Sequence, residues 1–272
     1  MEIALEEVGR LHIHEEIIPS VAEGLAEKMK ADGVFIHPII VDEKSLVVLD
    51  GMHRVAAANE NGYRFIPICL VDYDNPNIII GSWYRLINGL PDMDLVPGMI
   101  GDLGLRAEAV PWDAAHELVE GRRAIAAIFS KEECFAINGP RTGIKETYDA
   151  IKGIELELIS KGCSIGYEDE EGAREAVHSG KVPASIMTPT ISKREVVETA
   201  LAGKVFIQKA TRHVIPARPM FVNVPNEWLG GRLSLSEAND RLVALLSSRE
   251  LKRLPPGQVL DRRYREELYV FL

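Results

Sequence analysis

The stretch Val47-Val48-Leu49-Asp50-Gly51-Met52-His53-Arg54-Val55-Ala56-Ala57-Ala58 constrains the fold more than any other. Leu46 to Leu49 is a short apolar run with the length and β-branched content of a buried strand. It breaks at Asp50-Gly51. From Val55 to Glu60 the chain is Ala-rich, favours helix and stops at Gly62. Asp50, His53 and Arg54 therefore stand where a strand hands over to a helix N-terminus. Unpaired backbone N–H groups and the positive end of the helix dipole make such a place receptive to phosphate. Two readings stand beside each other: a capped turn with solvated charges, or a metal or proton handle next to an anion-binding group. His53 and Arg54 in direct succession favour the second.

The rest of the chain alternates strand and helix patterns. Residues 10–14 alternate as a short strand that would put His12 and His14 on one side, a spacing open to a metal but lacking a third ligand nearby. Pro19 suits a first helical turn, with Val21, Leu25 and Met29 as the buried stripe and Gly33 as the stop. Strands are expected at 37–41, 64–71 and 78–86. Residues 88–111, rich in Gly and Pro, read as a boundary. Beyond it a second mixed module is expected: helices at 113–120, 142–152 and 169–180, and strands at 124–129, 134–137, 154–158 and 183–187. Ser192-x-x-Glu195 is a capping box ahead of Val196 to Leu201. His116 and His178 lie among charged neighbours and read as solvated. Ser234 to Leu246 is an amphipathic helix, 252–257 a break and 261–267 a charged tail; this end reads as a packing or dimerisation extension.

Composition narrows the function classes. A formal net charge of −10 over 272 residues argues against a protein that lives on nucleic acid, but leaves room for a small anion in a local basic pocket. Cys69, Cys134 and Cys163 are odd in number and widely spaced, so neither a disulfide framework nor a zinc ribbon follows. The first residues have no basic n-region or apolar h-region, and no run has the length of a membrane span. The expectation is a reduced, cytoplasmic protein with no membrane partner.

A second basic group, Lys209-Ala210-Thr211-Arg212-His213, puts a point charge, a hydroxyl, a forked guanidinium and an imidazole into five residues. Taken alone it is an ordinary basic surface turn or a compact anion site.

Together these motifs carry a resemblance. Gly51-Met52-His53-Arg54 resembles the Gly-Cys-His-Arg of sulfiredoxins and the Gly-x-x-Arg box of ParB proteins. Met52 excludes the sulfiredoxin reaction, because a thioether cannot supply a thiolate. The nearer likeness is to the ParB/sulfiredoxin-like free L-serine kinases, whose pattern here is Asp-Gly-His-His-Arg, with Met52 in place of the first histidine. Those enzymes carry His-Glu at His14-Glu15, Thr-Trp-Tyr at Ser82-Trp83-Tyr84 and Lys-Thr-Thr-Arg-His at 209–213, where Ala210 departs. The motifs fall in the family's order, and the resemblance spans about residues 10–216.

The resemblance implies an α/β (mixed α+β) fold. A ParB/sulfiredoxin-like domain would cover residues 1–90 and a second α/β module 91–205. A phosphate-binding segment, 206–222, would return to the active site; residues 223–272 lie outside the resemblance and read from their own pattern as a helical C-terminal extension. The resemblance further implies phosphoryl transfer from ADP or ATP to the hydroxyl of free L-serine, giving O-phospho-L-serine, the kind of step that feeds cysteine biosynthesis. Glu15 would be the general base, with Glu16 only a surface neighbour. Gly51, Met52, His53 and Arg54, together with Lys209, Thr211, Arg212 and His213, would hold the nucleotide phosphates. Asp50, Trp83 and Thr211 would meet the serine, and Asp50 would orient it or hold Mg²⁺ beside the phosphates. The rival reading is a ParB-like regulator that binds nucleotide and DNA without catalysis; the acidic charge and the lack of a helix-turn-helix pattern weigh against it. A ParB-fold nuclease would need a basic track for the polymer, and none is evident.

Overall fold

The computed structural model describes residues 2–140, 142–260, 264 and 266–272. The chain divides into two compact units. The first comprises Met1–Ile79, Val196–Gln208 and His213–Leu272, and the second Ile80–Glu195 and Lys209–Arg212.

The first unit is built on a four-stranded sheet in the order Glu2–Glu7, Phe65–Val71, Ile39–Asp42, Val48–Asp50. Phe65–Val71 is antiparallel to the first strand and parallel to Ile39–Asp42, which pairs antiparallel with Val48–Asp50 across an irregularity at Ile40/Val41. Ile39, Val41, Val48, Phe65, Ile66 and Ile68 are buried in its core with Ala26, Met29 and Leu242. The helix Pro19–Asp32 ends at Gly33, whose φ of 70° is the left-handed conformation glycine adopts without strain. Its buried face is Ala22, Ala26 and Met29; Val21 is exposed and Leu25 half-buried, so the stripe lies one residue round from the expected Val21–Leu25–Met29. Small alanines let the helix approach closely. Residues 10–14 are not a regular strand: a 3₁₀ turn at Val8–Arg10 is followed by single bridges from His12 to Val47 and from Glu15 to Phe206.

After the helix Leu235–Ser247, which opens on a complete Ser234/Glu237 capping box, the chain is extended. Leu251–Leu254 occupies part of the expected break at 252–257, and Glu267–Phe271 runs parallel to Ala217–Met220 and antiparallel to Leu251–Leu254. The alternation of buried Leu268 and Val270 was hidden by the charges around it. Of the expected charged tail, residues 261–263 and 265 lie outside the described residues. Glu2–Glu7 was likewise masked by acidic residues; it is an edge strand with only Leu5 buried.

The second unit carries a six-stranded antiparallel sheet in the order Ser164–Glu168, Tyr84–Asn88, Ala184–Met187, Ala126–Phe129, Cys134–Asn138, Arg106–Ala109. The expected strand 78–86 is broken, with Ser82 and Trp83 between Ile79–Gly81 and Tyr84–Asn88. Residues 154–158 are not a strand. Ile144–Ser160 is one helix whose buried residues Tyr148, Ile151, Ile154, Glu155 and Leu158 follow the helical period. Leu156, which completed the apparent alternation, points to solvent. His116 is half-buried and stacks on Trp112, whereas His178 is exposed. All three cysteines are free and buried, and burial pushes the Cys69 thiol up to about 12 and Cys134 up to about 11. Among the described residues no helix is long and apolar enough to cross a membrane.

Candidate active site

In the first unit the turn Asp50-Gly51 is shaped by steric need. The helix begins at Met52, earlier than the expected Val55, so His53 and Arg54 occupy its first turn. Gly51 has φ 102°, and a Cβ there would lie 2.6 Å from Ile39 Cγ2 and 2.7 Å from Arg54 Nη2. Only glycine accepts both. Arg54 folds back over it: Nη1 donates to the carbonyls of His37 and Pro38 at 2.8 Å each, and Nη2 donates to Asp50 Oδ2 at 2.6 Å. Its guanidinium thus ties the turn together. Met52 packs against the apolar core, which is why a thioether stands at this position without disturbing the turn.

Asp50 Oδ2 accepts a second guanidinium bond, 2.7 Å from Arg218 Nη1. Two cations on one oxygen make Asp50 a poor ligand for Mg²⁺, since a divalent ion would meet their repulsion. Among the described residues, no three or more His, Cys, Asp or Glu are grouped to hold a metal.

Glu15, 8 % exposed, sits in a segment fixed from two sides. The Phe206 N–H donates to the His14 carbonyl and the Glu16 N–H to the Phe206 carbonyl, both at 2.8 Å. On the other side, the Ile18 N–H donates to His53 Nε2 at 3.1 Å. That bond requires an unprotonated Nε2, so while it stands His53 is neutral with its proton on Nδ1. His14 is fully buried, and desolvation, only partly offset by the neighbouring Glu15 carboxylate, lowers its pKa. His14 and His213 meet edge to face at 5.4 Å, and the Tyr73 hydroxyl lies 2.7 Å from His213 Nε2.

In the second unit the loop Lys209–Arg212 is organised by Trp83. The indole Nε1–H donates to the Thr211 carbonyl at 2.9 Å, Lys209 Nζ lies 5.0 Å from the ring centroid and the Arg212 guanidinium carbon 5.6 Å. Two cations held on one aromatic ring form a rigid positive patch. Lys209 has φ 58°, an uncommon conformation for a residue with a side chain and one that clusters at functional sites. Arg212 is also 3.4 Å from Asp169, the N-cap of the helix Glu170–His178. Ala210 is fully buried and its carbonyl accepts from the Tyr148 hydroxyl at 3.2 Å, so the family's hydroxyl is absent at a position where the backbone does the bonding. Trp83 itself is set by Arg85, whose Nη1 donates to its carbonyl at 2.5 Å and whose Nε donates to the buried Glu155 at 2.7 Å.

All the residues singled out in the sequence are thus placed: Glu15, Asp50, Gly51, Met52, His53, Arg54 and His213 in the first unit, and Trp83, Lys209, Thr211 and Arg212 in the second. Tyr73, Asp169, Arg85 and Arg218 were missed. Arg218 alone had a visible signal, a lone charge inside the apolar run Val214 to Val222.

The chain is 31% identical over 236 residues, 84% of its own length and 92% of the relative's, to an ATP-dependent L-serine kinase of Staphylothermus marinus. The chain belongs to the free L-serine kinase family. It is also 28% identical over 228 residues, 82% of this chain and 91% of the relative, to the ADP-dependent L-serine kinase of Thermococcus kodakarensis. Its fold superimposes on a free serine kinase, a glutamate-to-alanine variant in complex with ADP, with a TM-score of 0.72 at 25% identity, covering 84% of this chain and 94% of the other. No family model matches. This free L-serine kinase family member is a small-molecule kinase, and its mixed α/β architecture is the ParB/sulfiredoxin-like one.

Proposed function

We propose that this chain transfers the terminal phosphoryl group of ADP or ATP to the hydroxyl of free L-serine, releasing O-phospho-L-serine and AMP or ADP. Both donors occur in the names of its relatives, as does L-serine as the acceptor. The observation that carries the reading is the loop Lys209–Arg212, in which two cations and the Thr211 backbone are fixed to Trp83. Phosphoryl transfer depends mainly on positioning and on stabilising charge spread over the phosphate oxygens, and a prearranged cationic patch supplies both.

In this reading Lys209, Thr211, Arg212 and His213 hold the donor phosphates. Glu15 takes the proton of the serine hydroxyl as its oxygen attacks phosphorus and the bond to the leaving nucleotide breaks. Asp50 orients the acceptor. His53 and Arg54 build the site instead of holding phosphate: His53 tethers the Glu15 segment through Ile18, and Arg54 closes the Asp50 turn. Gly51 admits that closure and Met52 packs beneath it. Mg²⁺ enters with the nucleotide substrate, where it neutralises phosphate charge. Trp83 acts through the loop it anchors, with serine contact an additional role.

The test is incubation of the purified protein with Mg²⁺, L-serine and ADP or ATP in parallel, with O-phosphoserine read by mass spectrometry and Glu15→Gln alongside. Product with wild type and almost none with the variant is expected. No product with either donor, in protein that binds nucleotide, sinks the serine assignment.

A further inference from the structure

We propose that Arg218 is a positioning residue for phosphoryl transfer: held between Asp50 and Glu266, it fixes the Asp50 carboxylate in its working orientation. The inference rests on the reading that Asp50 belongs to the reacting centre. Arg218 Nη1 donates to Asp50 Oδ2 at 2.7 Å, while its Nε donates to Glu266 Oε1 at 2.8 Å. Its guanidinium carbon lies 6.0 Å from the centre of the Tyr264 ring. With Arg54 on the far side of Asp50, four charges alternate in the order Glu266, Arg218, Asp50, Arg54 and sum to zero.

Exposure within this row is uneven. The Arg218 and Glu266 side chains are 8 % and 10 % exposed and Arg54 is 20 %, whereas Asp50 is 34 %. Three members are closed in and the fourth is open, so the row presents Asp50. Burial disfavours the Arg218 cation, but the carboxylates of Asp50 and Glu266 more than offset this, and its pKa is pushed up. Arg218 stays charged throughout the working pH range.

Docking of the C-terminal strand does not explain the reach to Asp50. Ala217–Met220 already pairs along its length with Glu267–Phe271, and Met220, Tyr264, Leu268 and Val270 form a small core there. The bond to Asp50 leaves that sheet and closes on the turn before the helix Met52–Glu60. A carboxylate held by two guanidinium groups keeps one orientation, whereas one held by Arg54 alone can swing. Misplacement of about 1 Å costs on the order of a hundredfold in rate.

The experiment measures kcat and KM for O-phosphoserine formation, with melting temperature, for Arg218→Met, Arg218→Lys, Glu266→Gln, Asp50→Asn and the Asp50→Asn/Arg218→Met pair. Arg218→Met is expected to lower kcat by about tenfold to a hundredfold with nucleotide KM within about twofold. Arg218→Lys should recover part of that loss, and Glu266→Gln should show a smaller loss of the same kind. In the Asp50→Asn background, the Arg218 change should have little further effect. The inference is overturned by an unchanged kcat in Arg218→Met, by losses that multiply in the pair, or by losses that track the folded fraction in every variant, including Glu266→Gln. Full turnover in Asp50→Asn would instead remove Asp50 from the reacting centre.

Discussion

The Tyr73 hydroxyl and His213 Nε2 lie 2.7 Å apart, a hydrogen bond whose direction follows the imidazole tautomer. Burial, reinforced by the Asp42 carboxylate, drives the Tyr73 pKa far up, so it remains a phenol at any working pH. The bond holds the imidazole ring in place whichever of the two groups donates. Tyr73→Phe should release the His213 ring. A hydrogen bond is worth about 1 kcal/mol, so kcat/KM should fall by roughly fivefold to tenfold while the fold persists. The pH–rate profile of wild type and variant checks this: an unshifted profile with unchanged kcat/KM rejects it.

Buried His14 makes stability pH-dependent. Its folded-state pKa is lowered below the ordinary 6.5, so the unfolded chain binds the extra proton first. Its contribution to stability is complete above about pH 6.5 and is lost as the pH falls from there toward the folded-state value. Thermal melts between pH 8 and pH 5 (roughly, the range over which His titrates) should slope downward on the acid side, and His14→Asn should flatten that slope.

Glu155 and Arg85 form a buried ion pair under Trp83. Glu155→Leu leaves an uncompensated guanidinium and should destabilise by about 3–5 kcal/mol in urea titration. The pair Arg85→Met/Glu155→Leu should recover much of that stability. Activity should not follow, because the Trp83 carbonyl then lacks its Arg85 bond. Recovery of both together would show that the pair serves packing alone.

Gly51→Ala places a methyl within 2.7 Å of Arg54 Nη2 and Ile39 Cγ2 at a left-handed φ. Strain of this kind costs about 1–3 kcal/mol. The variant should lose both melting temperature and nearly all turnover, because the Arg54–Asp50 closure must open to admit it. A variant with wild-type turnover would mean that the closure is dispensable.

The positions to which the proposed function assigns chemistry stand out in the sequence because their residue types are chemically unusual side by side: Asp50 to Arg54, and Lys209 to His213. The strand before Asp50 and the stop at Gly33 followed from local rules. The misreadings came where tertiary pairing overrode local pattern. Residues 154–158 alternate in hydrophobicity, yet Glu155 belongs inside because Arg85 waits there, and that partner is 70 residues away. Glu267–Phe271 hid behind flanking charge. The partners of Asp50 and His213 were out of reach for the same reason: Arg218 is 168 residues from Asp50, and Tyr73 is 140 from His213.

That separation has a consequence for synthesis. The Asp50 turn and its Arg54 clasp are local and can form soon after translation passes them. Counted from Asp50, the ribosome must add 168 residues before Arg218 exists and 48 more before Glu266 does. Contacts of such long range close late and slow folding. A nascent chain therefore carries its motif long before it carries a set carboxylate, and activity should emerge only after the later segment has been made.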